Sequence, residues 1–238
     1  MLTPSEDNVQ TLGRRIEHRI LHEMSLTPVE RFTKLLELKN LKSESTGYIK
    51  VVTGDRIEKA SSLSIDIAPG VRYFNIHIIP EACYQVPRFI FEGMLSPHGS
   101  QVSLDVFPDI DPELDIGWLI RDFGPFTKIY DEARAEEDIT FRPSRYMHMR
   151  AFQSPFFLCT DAPAEVLPRL EDYAERYFDE WQKLLAAGKK LSAAETTARR
   201  VRRSHVARTI IEQDPDRHMV VSVYGEAVTQ SIEEASML

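Results

Sequence analysis

The stretch RYFNIHIIPEACYQVPRFIFEGMLSPHGSQVSLDVFPDID, Arg72–Asp111, decides the fold. Apolar and polar side chains alternate along it, and two short joints interrupt it, Pro80–Gln85 and Ser96–Ser100. Alternation with period two is the mark of a strand, and joints this short suit antiparallel neighbours. Three strands follow: Arg72–Ile79, Val86–Glu92 and Gln101–Phe107. A fourth, Leu63–Ala68, precedes them across Ala68-Pro69-Gly70, and Gly47 and Gly54 bracket a fifth, Tyr48–Thr53.

Sorting side chains by alternation gives two faces. One carries Leu63, Ile65, Ile67, Phe74, Ile76, Ile78, Phe89, Phe91, Val102, Leu104 and Val106, a core surface. The other is expected to carry Ser64 and Asp66, then Tyr73, Asn75 and His77, then Arg88, Ile90 and Glu92, then Ser103 and Asp105. Carboxylates belong on such a face only where it meets water or lines a pocket. Solvent on one side of an antiparallel sheet is the simpler reading. Helical sequence on both sides of the sheet argues for a cover over both faces, and hence for a pocket. Burial would raise the pKa of an acid there, so that it could release a proton near neutral pH.

The helices are read from three- and four-residue spacing. Val9, Leu12, Ile16, Ile20 and Met24 mark one over Val9–Met24. Thr27-Pro28 reads as an N-cap and first turn for Val29–Leu38. After the sheet come Pro112–Arg121 and Phe126–Glu137, an edge strand at Phe156–Cys159, and a long helix, Ala164–Ala186. Ser192 caps another to Ile211, and Asp214-Pro215 opens a last one over Asp216–Ala235. Helices, a contiguous antiparallel sheet, then helices make an α/β fold, an α/β/α sandwich with a central antiparallel sheet flanked by helices.

Of 238 residues 42% are hydrophobic and 28% charged, enough for one core, and no repeat or linker divides the chain. A single domain over residues 1–238 is expected. The net charge of −8 argues against a general nucleic-acid binder. Arg199, Arg200, Arg202 and Arg203 nevertheless cluster, with Lys189 and Lys190 upstream, either as a solvated helix face or as a docking patch for an acidic partner. No apolar run is long enough for a membrane span, and the polar, acidic N-terminus lacks an apolar signal core, so a cytoplasmic protein is expected. Cys83 and Cys159 lie far apart without CxxC, which suggests free thiols and no zinc or iron–sulfur site. His18 and His22 are four apart on one helix but have no evident third ligand. There is no GxGxxG, Walker A, GxSxG or HExxH.

The segment from Phe74 to Asp111 resembles the central stretch of the ferredoxin-dependent bilin reductases and of their plant relative, red chlorophyll catabolite reductase. The pattern is a polar residue, a Pro, a Tyr, a P-x-F turn, an acid, and an aliphatic-Asp-aliphatic strand ending near Pro. Asn75, Pro80, Tyr84, Pro87 with Phe89, Glu92, and Leu104-Asp105-Val106 with Pro108 take those places. MRAFQSPFFL, Met149–Leu158, is similar to the F-S-P strand of that family, RYFDEWQKLL to its long helix, and Asp214, Arg217, Gly225 and Glu226 to its D-x-x-R…G-E ending. Glu92 stands where many bilin reductases carry Asp, and is similar to the chlorophyll-catabolite branch. Asn75 stands where the biliverdin-to-phycocyanobilin enzymes carry His, which speaks against that four-electron reduction.

The resemblance implies an oxidoreductase that reduces a linear tetrapyrrole, biliverdin or a chlorophyll catabolite, through substrate radicals. No bound cofactor or metal is implied; reduced ferredoxin is the electron donor and partner. It implies Glu92 as proton donor, Asp214 as second donor or positioner against its simpler reading as an N-cap, and Asn75 as the residue that orients pyrrole nitrogens or a water. Asp66 and Asp105 would line the substrate site, and Arg145, Arg150 and Arg217, with Arg88 beside them, would hold propionates, since a guanidinium grips a carboxylate by two hydrogen bonds. The Arg199–Arg203 cluster is a candidate surface for ferredoxin. A bilin carrier that binds without reducing is the alternative. Monomer and homodimer both remain open.

Overall fold

The computed structural model describes residues 3–110 and 115–237, and the alternating segments join into one continuous antiparallel sheet. Its strands are β1 (Thr27–Pro28), β2 (Leu38–Lys39), β3 (Ser45–Gly54), β4 (Ile57–Ala68), β5 (Val71–Pro80), β6 (Arg88–Leu95), β7 (Ser100–Phe107) and β8 (Leu158–Ala162). The order is β1-β3-β4-β5-β6-β7-β8, with β2 beside β3. The predicted meander strands all form, and the predicted edge strand begins two residues later, at Leu158, pairing β7 as β8.

Helices lie on both sides, as the sandwich reading expects: α1 (Pro4–Thr11), α2 (Arg14–His22), α3 (Ile116–Trp118), α4 (Gly124–Arg134), α5 (Met147–Phe152), α6 (Leu167–Ala187), α7 (Ala193–Glu212), α8 (Arg217–Tyr224) and α9 (Glu226–Ser236). On one face Phe74, Ile76, Ile78, Phe89 and Phe91 pack with Ile16 and Ile20 of α2, Phe126 of α4, and Tyr177, Phe178 and Trp181 of α6. Trp181 satisfies its own polar end by donating Nε1–H to the Pro87 carbonyl at 2.8 Å. On the other face Ile49, Val51, Leu63 and Ile65 meet Tyr224 of α8 and Ile232 of α9. Rings as deeply buried as Phe89 and Trp181 each contribute about 3–5 kcal/mol by truncation measures.

Several boundaries differ from the sequence reading for local reasons. Two helices replace the one expected over Val9–Met24, because Gly13 sits at φ 83° with the Phe74 ring only 2.9 Å from where a Cβ would be. Thr27-Pro28 opens no α-helix. Val29 donates its N–H to Val51, which holds the segment as strand, and only a 3₁₀ stretch, Glu30–Leu36, follows. The last helix is split by Gly225 at φ 78° into α8 and α9. The expected helix Pro112–Arg121 lies partly outside the described residues. Beyond them α3 passes into a π-turn, Leu119–Phe123, and then α4.

One correction bears on the site. Pairing sets Leu63 opposite Asn75 and Ser64 opposite Phe74, so β4 has the reverse phase to the one expected. A register shift between Asp66 and Ala68, at the joint into β5, slips the alternation. Ser62, Ser64 and Asp66 therefore lie on the Phe74 side. Ser62 donates to the buried Glu17 of α2 at 3.1 Å, and Ser64 accepts from Arg72 at 2.9 Å. Asp66 is exposed there and does not reach the face that bears Glu92.

Candidate active site

The face of β5, β6 and β7 that carries Asn75 is covered by helices and encloses a cavity of about 210 Å³. Pairing sets Asn75 opposite Glu92, Glu92 opposite Ser103 and Ile90 opposite Asp105, so these side chains share one floor. The roof comes from Ala207 and Ile210 of α7, from Gln213, Asp214 and Pro215 at the joint to α8, from Met237, and from Ser144 to Met149 leading into α5. A side cavity of about 100 Å³ shares Tyr73, Asn75, Asp214 and Met237 and extends to Arg217 and Glu233.

Glu92 lies at the centre. Its Oε2 accepts from Asn75 Nδ2 at 2.9 Å and from the Tyr73 hydroxyl at 3.2 Å. Burial raises its pKa, the two hydrogen bonds oppose that rise, and the nearby Asp214 carboxylate adds to it. Tyr73 is itself pushed well above its ordinary pKa, by burial first and then by Glu92, and so remains a phenol that donates. Asn75 uses one amide hydrogen on Glu92 and leaves Oδ1 without a partner among the described residues.

Asp214 is exposed at the α7–α8 joint yet lines both cavities. Its Oδ1 accepts the N–H of Asp216 at 2.9 Å, the local bond expected of a capping acid. The N-cap of α8 is Asp216, however, since the helix starts at Arg217. Burial raises the pKa of Asp214, and the carboxylates of Asp216 and Glu233 raise it further against the Asp216 N–H and Arg217.

Asp105 is 2% exposed. It accepts from Ser154 Oγ at 2.5 Å, from Ser154 N at 3.1 Å and from Val106 N at 2.8 Å. Burial outweighs these donors and pushes its pKa up to about 7. Ser154 is the Ser of the F-S-P resemblance, and its task here is to hold this acid.

At the far end of the floor, Arg88 places Nη2 2.7 Å from Asp109 Oδ1, and Arg203 places Nε 2.6 Å from Asp109 Oδ2. Arg199 reaches the same carboxylate at 3.9 Å and donates to the carbonyls of Tyr84 and Val86. Burial alone would raise the Asp109 pKa, but Arg88, Arg203 and Arg199 override it and hold it down at about 2. The expectation of an exposed basic cluster is corrected here: Arg199 and Arg203, one helical turn apart, point inward, while Arg200 is exposed and Arg202 half-buried.

Of the predicted site residues, Asn75, Glu92, Asp105, Arg88 and Asp214 line the one cavity. Arg217 borders the side cavity, held by Glu226 and Glu233 at 2.6 Å each. Arg145 and Arg150 are exposed at the rim, and Arg145 lies over the Tyr146 ring, 4.0 Å from Asp216. Cys83 and Cys159 are both free, and Cys159 lines the cavity. Sequence reasoning passed over Tyr73 and His77 as site residues, although both alternate with Asn75 on its strand. It gave no signal for Asp109, whose role depends on three distant arginines.

In overall fold the chain is similar to phytochromobilin synthase from tomato, whose crystal structure is in complex with biliverdin. The TM-score is 0.79 at 15% identity, covering 92% of this chain and 80% of that one. No protein-family model matches the sequence, and no curated protein does.

Proposed function

We propose that the chain reduces an open-chain tetrapyrrole of the bilin type, bound between the sheet and the C-terminal helices, with ferredoxin as the electron donor. The carrying observation is Glu92: a carboxyl whose pKa burial raises, at the floor of a covered cavity, with two donors fixing one oxygen and a second acid, Asp214, lining the same cavity. The shared fold with a protein in complex with biliverdin supports the choice of guest.

Reduction of one double bond takes two electrons and two protons. Electrons arrive singly: the first makes a radical anion that takes one proton to give a neutral radical, and the second makes an anion that takes the other proton. Glu92 supplies one proton, and Asp214, open to solvent on its outer side, supplies or relays the other. Asn75 holds Glu92 with its amide hydrogen and presents Oδ1 to a pyrrole N–H or a water. Asp105 supports the floor through Ser154. Arg145 and Arg150 at the rim receive propionates, while Arg217 beside the side cavity is engaged by Glu226 and Glu233. Asp66, on the opposite face, takes no part.

The cavity is smaller than the roughly 300–1,000 Å³ that such ligands occupy. Entry therefore displaces part of the roof. In α5 no residue is buried, and Met147 is 78% exposed, so this segment yields most cheaply.

The test is to titrate the purified chain with biliverdin and then add a ferredoxin reducing system without oxygen. The bound chromophore's absorption should shift on binding and bleach or shift again on reduction. Glu92→Gln should bind equally well and turn over at least about 100-fold more slowly, as removal of a general acid does. Unchanged turnover in that variant would remove Glu92 from the mechanism. Binding without any reduction would leave a carrier.

A further inference from the structure

The far end of the cavity carries an unused donor and an unused acceptor. His77 is 2% exposed and Arg88 3%, and both line the cavity. His77 pairs with Ile90, so Arg88, two residues along β6, is its diagonal neighbour on the same face. His77 Nδ1 lies 2.8 Å from the Ser236 carbonyl, which can only accept, so the ring proton sits on Nδ1 and Nε2 is a bare lone pair. Among the described residues Nε2 has no partner, and neither has Arg88 Nε. Burial and then the Arg88 charge hold the His77 pKa down at about 3, so Nε2 stays an acceptor at neutral pH. Arg88 is part of a cluster in which three guanidiniums meet the single carboxylate of Asp109, with Glu58 3.4 Å from Arg203 and Asp105 nearby on the floor.

We propose that His77 and Arg88 form a subsite for the edge of a cyclic cis-amide, the ring N–H donating to His77 Nε2 and the adjacent carbonyl accepting from Arg88. A carboxylate would satisfy Arg88 but set its lone pairs against that of Nε2. A pyrrole N–H alone would leave Arg88 Nε unpaired. A lactam presents one donor beside one acceptor, and the terminal rings of a bilin are lactams. The inference thus rests on the tetrapyrrole reading and deepens it: a terminal ring lies at the Arg88 end, with the inner rings toward Glu92.

The test changes the ligand and leaves the protein intact. Biliverdin and its two mono-O-methyl lactim ethers, each lacking one ring N–H, are titrated by absorbance. One of the two ethers should bind roughly 10–100-fold more weakly, the loss expected when a buried acceptor is left unpaired. In parallel, protein labelled with ¹⁵N at histidine is titrated with 2-pyrrolidinone. The His77 Nε2 resonance should move toward the hydrogen-bonded position, and acetate should leave it unmoved. Equal affinity of all three bilins with an unmoved resonance would overturn the subsite, leaving an ordered water between the two side chains. A larger response to acetate would overturn it in favour of an anion site. A response to 2-pyrrolidinone without biliverdin binding would support the subsite while rejecting the tetrapyrrole.

Discussion

Replacing Asp105 by Asn should change the pH dependence of stability in a direction that the structure fixes. In the unfolded chain this carboxyl titrates at its ordinary value of 3.8, and in the native site at about 7. Between those values only the native state holds the proton. The stabilisation from the neutral form is therefore fully present below about pH 4 and is lost as the pH rises through about 7. The interval is about three pK units, and each is worth about 1.4 kcal/mol, so the swing is on the order of 4 kcal/mol. Asn has the same shape and no titration. It can accept from Ser154 but gives up one of the three donors that Asp105 satisfies, at a cost of about 1 kcal/mol. Urea unfolding of both proteins from about pH 4 to about pH 8 should then show curves that cross: Asp105→Asn the less stable at the acid end, and the more stable, by a few kcal/mol, at the alkaline end. Other groups cancel in the difference between the two proteins. Parallel curves would mean that Asp105 is ionised throughout, held so by Ser154 and Val106, and the reasoning from burial would fail.

Asp109→Asn should leave three buried guanidiniums without their counter-ion, a loss of about 3–5 kcal/mol and a fall in Tm on the order of 10 °C by calorimetry. Adding Arg88→Met to that variant should recover part of the loss. Gly47→Ala should be among the most damaging small changes, because φ is 150° and the new Cβ would stand 2.0 Å from the Ser64 carbonyl oxygen, backbone that has no rotamer to escape through. A loss above about 3 kcal/mol in chemical denaturation is expected. His77→Gln should act opposite to Asp105→Asn. The folded pKa of His77 is depressed from 6.5 to about 3, so wild type gains about 5 kcal/mol as the pH rises across that window and the Gln variant lacks the rise, read from Tm against pH.

The sandwich was legible because alternation and spacing are local signals, and five strands with short joints leave few arrangements. The floor of the cavity was legible for the same reason within β5, β6 and β7, where Asn75, Glu92 and Asp105 alternate without interruption. The phase between β4 and β5 was not. It depends on one irregular step at Asp66–Ala68, and a single-residue slip reverses every side chain beyond it. Asp66 was misplaced through that slip, and the polar appearance of Ser64 reinforced the error, since its partner Arg72 comes from strand β5. The basic run at Arg199–Arg203 misled differently. Charge in a sequence has no direction, and it is Asp109 together with the Tyr84, Val86 and Pro80 carbonyls that draws two of those arginines inward.

The same contrast separates the parts of the site by how firmly they are held. Glu92, Asn75 and Asp105 stand on paired strands whose reverse face is the packed core of Phe74, Phe91 and Phe89, so their spacing resists change. The roof is held unevenly: α7 is pinned to the sheet end through Arg199 and Arg203, and the loosest part of the roof is α5. Its α5 buries none of its side chains, and the α9 end is tied to the sheet through the Ser236 and Glu234 carbonyls, which accept from His77 and Lys59. With a rigid floor under a cover that is loose only at α5, that segment can shift while the floor carboxyls keep their geometry. The arrangement also separates two demands that conflict. Raised carboxyl pKa values need exclusion of water, and entry needs exposure. Placing Glu92 and Asp105 on paired strands and the least-buried cover in α5 meets both, because α5 carries neither carboxyl, and Asp214 sits apart at the α7–α8 joint.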